Sequence, residues 1–164
     1  MWIDTNSTVT LILNIMLILF IHGGTVYVAM RLPATYLARD HWWAKEQKFE
    51  RGGRWYERWF RVTQWKDRLP DGGAWTKGGF KKAHLQRRDR EYLNQFVLET
   101  KRGEWTHWLG FGVWPLFVIW NPWQGALILF LYSIIAHLPC IIVQRYNRLR
   151  LQRILDRTSA SHAG

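Results

Sequence analysis

The sequence predicts an all-α integral membrane protein. It has an N-terminal anchor helix, a Trp- and basic-rich cytoplasmic interfacial segment, and a C-terminal transmembrane helical hairpin. Three observations predict this architecture. Residues 8–30 carry no charged side chain, residues 106–144 carry no Lys, Arg, Asp or Glu, and 18 of the 23 Lys and Arg fall in residues 31–105. The chain has 164 residues and a formal net charge of +11. Such a basic excess usually means nucleic acid or an anionic membrane surface as partner. A soluble nucleic-acid binder has no use for 39 consecutive residues without a formal charge, so the membrane is the expected partner. One cysteine, Cys140, excludes a disulfide framework within the chain and a Cys-based zinc site. No metal and no cofactor are expected.

The anchor comes first. Residues 8–30 read TVTLILNIMLILFIHGGTVYVAM. As a helix they reach about 34 Å, enough for the hydrocarbon core. A cleaved signal peptide needs a basic start, a shorter apolar run and a small-residue cleavage site. This stretch fits that pattern poorly, so an uncleaved anchor is expected. Asn14 and His22 inside it, and His137 later, are expected to hydrogen-bond between helices.

Residues 31–105 form the interfacial segment. Trp42, Trp43, Trp55, Trp59, Trp65 and Trp75 alternate with Lys45, Lys48, Arg51, Arg54, Arg58, Arg61 and Lys66. Aromatics among cations also suit single-stranded nucleic acid. With apolar stretches on both sides, indoles at headgroup depth and cations on anionic lipid are the better reading. A helix is expected over 34–49, ended by Gly52 and Gly53. A short helix or strand should follow over 54–65, then a turn at Leu69-Pro70-Asp71-Gly72-Gly73. Gly78-Gly79 is a second break. Residues 88–107 read as helix, with Tyr92 above Phe96 and Leu93 above Val97.

The hairpin comprises residues 106–121 and 124–144, divided by Trp120-Asn121-Pro122-Trp123; the alternative is a re-entrant hairpin that never crosses. Residues 145–164 are a basic tail. Because Lys and Arg follow the first span and close the last, both flanks belong inside the cell. Three spans then place the N-terminus outside and the C-terminus in the cytoplasm.

Two constellations carry chemistry. In Glu99-Thr100-Lys101-Arg102-Gly103-Glu104-Trp105-Thr106-His107-Trp108, helical spacing puts Thr100, Glu104 and His107 on one face. Glu99 pairs with Arg102 on the neighbouring face. An imidazole supported by a carboxylate is a general base suited to neutral pH, so His107 and Glu104 are the catalytic candidates. The alternative is an interfacial histidine in a polar helix network. In Gln144-Arg145-Tyr146-Asn147-Arg148, the arginines at i,i+3 either stop the span or grip donor phosphates. Arg153 and Arg157 read as plain stops. Asp71 closes a turn or binds a sugar hydroxyl, and His84 is a second base candidate within a basic run. Glu99, Arg102, Arg145, Asn147, Arg148, Asp71 and His84 are the binding candidates. Cys140 belongs to the packing of a span.

These residues resemble a known family. Phe49, Gly53, Trp55, Trp59 and Phe60 carry the resemblance, as do Trp65-Lys66 with the following turn and His84-Leu85. So do Glu99 to Arg102 with Glu104 and His107-Trp108, and Leu138-Pro139 with Ile142 to Arg148. From about residue 30 to 155 the pattern is similar to the glycosyl-4,4′-diaponeurosporenoate acyltransferases of staphyloxanthin-type carotenoid synthesis. Leu149 stands where a proline is common and His137 where an asparagine is common. The resemblance implies a small bacterial cell-membrane protein. Its implied reaction moves a fatty acyl chain to the primary (C6) hydroxyl of the glucose on a glycosyl carotenoid ester or a related glycolipid. The acyl donor, acyl-CoA or acyl carrier protein, is a co-substrate. Implied partners are membrane lipid, the acceptor and the donor, with no nucleic acid. The alternatives are a non-enzymatic scaffold on anionic lipid and another lipid-modifying enzyme such as a methyltransferase.

Overall fold

The computed structural model describes residues 6–69, 87 and 89–162, with side chains described as far as Ser159. All regular structure among the described residues is helical. The helices are α1 (Ser7–Arg31), α2 (Ala34–Ala38), α3 (Arg54–Phe60), α4 (Val62–Trp65), α5 (Arg90–Gly112) and α6 (Trp123–His162). Short 3-10 helices lie at Arg51–Gly53, Lys66–Arg68 and Trp114–Ile119. The chain divides into two compact units. One comprises Met1–Leu32 and Trp105–Ile141, the other Pro33–Glu104 and Ile142–Gly164.

The first unit is the apolar one. Its α1 starts where Asn6 accepts a hydrogen bond from the Val9 amide at 2.8 Å, and Arg31 ends it. That is a side-chain cap at one end and a cation on the negative end of the helix dipole at the other. Only Ile21, Thr25 and Ala29, spaced by four, are buried along α1. Leu19, Phe20 and Met16 are more than half exposed, a surface that water alone would not cover. Two helices among the described residues are long and apolar enough to cross a membrane, within Ser7–Arg31 and Trp123–Ser159.

The stretch expected as the first arm of the hairpin is not one α-helix. The end of α5 supplies residues 106–112, and the chain then tightens to a 3-10 helix over Trp114–Ile119. Pro115 is the physical reason. It lacks an amide hydrogen and sits in the first turn of that 3-10 helix, where the missing donor costs least. Phe111 and Trp114 place their rings against Phe130, with centroids 6.2 and 4.7 Å apart.

Asn14 and Asn121 exchange side-chain hydrogen bonds of 2.9 and 2.8 Å, and the Trp120 indole donates to the same Asn14 oxygen at 2.9 Å. His22 and Tyr132 meet at 2.9 Å. Asn14 and His22 therefore bond between elements as expected, each satisfying polar groups that an apolar surround would leave costly.

The second unit has two apolar clusters. Tyr56, Val62, Val143, Tyr146 and Leu149 form one, with Trp55 and Trp65 against it. Leu93, Phe96 and Leu151 form the other, with Tyr92 and Val97 alongside. Tyr92 and Phe96 stack edge to face at 6.0 Å, the pairing their spacing predicts.

The helix expected over 34–49 is confined to Ala34–Ala38. The carbonyls that would continue it have other partners. The Lys101 ammonium donates to Leu37 O at 2.9 Å and Arg39 O at 3.1 Å. The Arg145 guanidinium donates to Trp43 O at 2.6 Å and Lys45 O at 2.9 Å. Cationic donors outcompete backbone amides here. The break at the glycines is as expected: Gly52 and Gly53 have φ of 64° and 90°, a region that side chains disfavour. Residues 54–65 are helical, turning at Arg61 between α3 and α4. The turn beyond Leu69, the Gly78-Gly79 break and the basic run through His84 lie outside the described residues, apart from Leu69 itself and Arg87.

Candidate active site

In the second unit the ionised side chains converge on two buried carboxylates. Glu104, on α5, has no exposed surface. Arg145 donates to its Oε1 at 3.1 Å, and Arg148 donates to its Oε2. Glu50, equally buried, lies just before the double-glycine turn. It accepts from Arg145 Nη2 at 3.0 Å and from Arg145 Nε. The Tyr56 hydroxyl donates to it at 2.6 Å and the Gln47 amide at 2.5 Å.

The electrostatics follow from these contacts. Burial pushes the Glu50 carboxyl up, but the hydrogen bonds from Arg145, Gln47 and Tyr56 outweigh it and hold the carboxyl below its usual range. Burial and then Glu50 raise the Tyr56 hydroxyl well above the ordinary phenol. Burial and then the nearby Arg148 charge lower the Lys101 ammonium. Arg145 uses Nε, Nη1 and Nη2 on two carboxylates and two carbonyls. Arg148 has no exposed surface, and its Nε and Nη2 are buried without a partner among the described residues.

In the first unit the notable groups are imidazoles. His107, on the last turns of α5, places Nδ1 3.2 Å from Nδ1 of His137 on α6. His137 is 5% exposed, and its ring also meets His22 of α1 edge to face at 5.4 Å. Gly110 makes room for it: a Cβ there would lie 2.5 Å from His137 Cε1. The Ser133 hydroxyl, one turn before His137, is buried with no hydrogen-bond partner among the described residues. His22, Gly110, Ser133 and His137 share the wall of a cavity of about one water volume.

The sequence candidates are distributed accordingly. Glu104, Arg145 and Arg148 come together in one network. Glu99 and Arg102 form the expected i,i+3 ion pair at 3.3 Å. Asn147 is half-buried on α6. His107 is paired with His137. Asp71 and His84 lie outside the described residues. Sequence reasoning missed Glu50, Tyr56 and Lys101 as members of the buried network. The available signal was small: an acid two residues before a double-glycine break, in a segment crowded with arginine.

Known proteins bear on these residues. The family model described as glycosyl-4,4′-diaponeurosporenoate acyltransferase matches residues 40–157. Two proteins of that name from Staphylococcus aureus, strains bovine RF122 / ET3-1 and MRSA252, are each 35% identical over 137 residues. A third, from strain USA300, is 34% identical over 137 residues. Each alignment covers 80% of this chain and 81% of the relative. No solved structure matches. The matched region contains Glu50, Glu104, His107, His137, Arg145 and Arg148, and the chain belongs to the glycosyl-4,4′-diaponeurosporenoate acyltransferase family, a family of acyl-transferring enzymes.

Proposed function

We propose that this chain is a membrane-bound O-acyltransferase acting on a glycosyl carotenoid ester, with the primary (C6) hydroxyl of its glucose as the acceptor, or on a related glycolipid. The observation that carries this reading is the match to relatives named for acyl transfer to glycosyl-4,4′-diaponeurosporenoate across four-fifths of the chain. The chemistry of the residues agrees with it. The acceptor is amphiphilic, with a polyene for the bilayer and a sugar for the interface. The donor is a thioester, acyl-CoA or acyl carrier protein, arriving from the cytoplasm.

In the proposed step the sugar hydroxyl oxygen attacks the thioester carbonyl. His107 takes the hydroxyl proton as the carbon–oxygen bond forms. The carbon–sulfur bond then breaks, and the proton passes to the departing thiolate. One positioned base contributes about 10²–10⁴-fold to such a step, and no covalent acyl-enzyme is required. Glu104 lies one turn earlier on α5 with its carboxylate held by two guanidiniums. Its proposed contribution is therefore to fix the helix that bears His107. Arg102, Arg145 and Arg148 are the proposed contacts for donor phosphates; Arg148 Nε and Nη2 are not engaged by a described residue, whereas Arg145 would exchange one of its present acceptors for the phosphate. Asn147, Asp71 and His84 remain proposed binding residues.

The proposed topology has three crossings, with the N-terminus outside and the C-terminus in the cytoplasm. The middle crossing would use the end of α5 with the 3-10 helix over Trp114–Ile119. Reporter fusions at both termini test it, and a C-terminus found outside overturns it. For the activity, purified protein is incubated with a glycosyl carotenoid ester and acyl-CoA or acyl carrier protein, and products are read by mass. Acyl addition to the sugar is expected. No acyl product with either donor, from folded protein, overturns the reading.

A further inference from the structure

Three of the chain's six histidines meet in the first unit, each from a different helix: His22 from α1, His107 from α5 and His137 from α6. The apolar stretches that surround them hold no Asp, Glu, Lys or Arg between residues 8 and 30 or between 106 and 144. The carboxylate next along α5 is Glu104, one turn before His107, and Arg145 and Arg148 hold it. The groups that face His137 are His107 on α5, His22 on α1 and, through His22, Tyr132 on its own helix. Cys140 lies one turn beyond it on α6.

We infer that His137 is the positioning residue for His107, accepting the His107 Nδ1 hydrogen and sharing the charge that His107 gains when it takes the substrate proton. This inference rests on the acyl-transfer reading above. The geometry is specific. Two Nδ1 atoms 3.2 Å apart hydrogen-bond only if one ring donates and the other accepts. If His107 donates, its other nitrogen, Nε2, is the one that acts as base, and His137 is fixed as the Nε2–H tautomer.

That tautomer needs an acceptor for its own hydrogen. Ser133 Oγ is buried, without a partner among the described residues, and lines the same water-sized cavity as His137. One water in that cavity would carry the hydrogen bond from His137 to Ser133. Gly110 completes the device, because any side chain there would displace the His137 ring. In the reaction, the hydroxyl proton moves to His107 Nε2, the Nδ1–H to His137 bond strengthens as charge develops, and the Nε2 proton later leaves on the thiolate. No proton is stored and no co-reactant is needed.

The experiment compares wild type, His137→Leu, His137→Asn and Ser133→Ala, each in detergent and each checked for folding by its thermal transition. Leucine fills the space without accepting a hydrogen bond; the asparagine amide oxygen accepts one but does not titrate. His137→Leu is expected to lose roughly ten- to a hundredfold in kcat, part of what a positioned base supplies, with KM for both substrates little changed. The acidic limb of its kcat profile should move to lower pH, because the imidazolium has lost its acceptor. His137→Asn should recover most of the turnover, and Ser133→Ala should fall severalfold. A folded His137→Leu with wild-type turnover and an unshifted limb overturns the inference.

A second readout does not depend on turnover. In protein labelled with ¹⁵N-histidine, the His107 Nδ1 resonance should shift in His137→Leu and return towards wild type in His137→Asn. An unchanged His107 resonance overturns the pair. A wild-type protein that transfers no acyl group but shows these shifts overturns the acyl-transfer reading and leaves the hydrogen-bonded pair standing.

Discussion

Glu104 and Arg148 form an ion pair with no exposed surface on either side chain. Both are desolvated, and Arg145 supplies the second guanidinium that Glu104 needs to satisfy its other oxygen. A buried pair adds little over a well-packed apolar substitute, but removing one partner is expensive.

Glu104→Gln should therefore destabilise the protein by about 3–5 kcal/mol, because it leaves buried positive charge without its counter-charge. Thermal unfolding in detergent reads this directly. Replacing Glu104 and Arg148 together by Gln and Met should cost less than the sum of the single changes. Additive losses would show that the two side chains are not coupled.

Glu50 sets an acid limb on stability. Its folded carboxyl lies below its ordinary value of 4.5. A depressed carboxyl contributes stability that is fully present above the unfolded value and is lost as pH falls through the folded one. Melting temperature should hold at neutral pH and fall as the pH drops from about 5 towards 2. Glu50→Gln should be less stable at neutral pH and show a shallower acid limb. An equally steep limb in Glu50→Gln would assign it to another group.

His107→Ala should reduce acyl transfer by about 10²–10⁴-fold while the protein still inserts and accumulates. Arg157→Ala is the matching control, since Arg157 is exposed on the last turns of α6. Product yield by mass, normalised to protein recovered, decides the comparison. Near-normal transfer by folded His107→Ala would move the base elsewhere, with His84 next in line.

Gly52→Ala should destabilise the second unit by more than about 1 kcal/mol. The position has φ of 64°, and an added Cβ would fall 2.4 Å from Cδ of Arg153. The Arg153 stem thus lies over this turn, so Arg153 is more than a stop signal. Gly52→Ala combined with Arg153→Ala should recover the steric part of the loss and leave the backbone part.

Asn14→Leu should weaken the first unit by about 0.6–2 kcal/mol. It leaves the Asn121 amide and the Trp120 indole without their shared acceptor. The denaturant midpoint in detergent measures the effect, and a midpoint equal to wild type would show that these contacts do not hold the unit.

The parts of the fold that were legible depend on local signals. A charge-free, mostly apolar run ending at Arg31 defines α1, and the Tyr92–Phe96 step marks the face of α5. The segment over 34–49 misled because its backbone partners are Lys101 and Arg145, remote in sequence, and no local propensity records them. The hairpin's first arm misled because a proline early in a short apolar stretch favours a 3-10 helix over the α-helix that hydropathy suggests. Of the candidate site, Glu104, Arg145 and Arg148 were readable from helical spacing and their place beside the charge-free stretch. His137 was readable only as a hydrogen-bonding residue in a span. That its partner is His107 depends on Gly110, whose missing side chain becomes informative only when two helices meet over it.

Arg145 also imposes an order on biosynthesis. The stretch from Trp43 to Glu50 is shaped by a side chain about a hundred residues further along the chain. While the ribosome is still making the intervening segments, those carbonyls and the Glu50 carboxylate lack the Arg145 guanidinium. The first half of the second unit must therefore wait, soluble or resting on the bilayer, until α6 has emerged past residue 145. A nascent chain stalled before that point would remain open to protease at residues 43–50, and one released after it would be closed there.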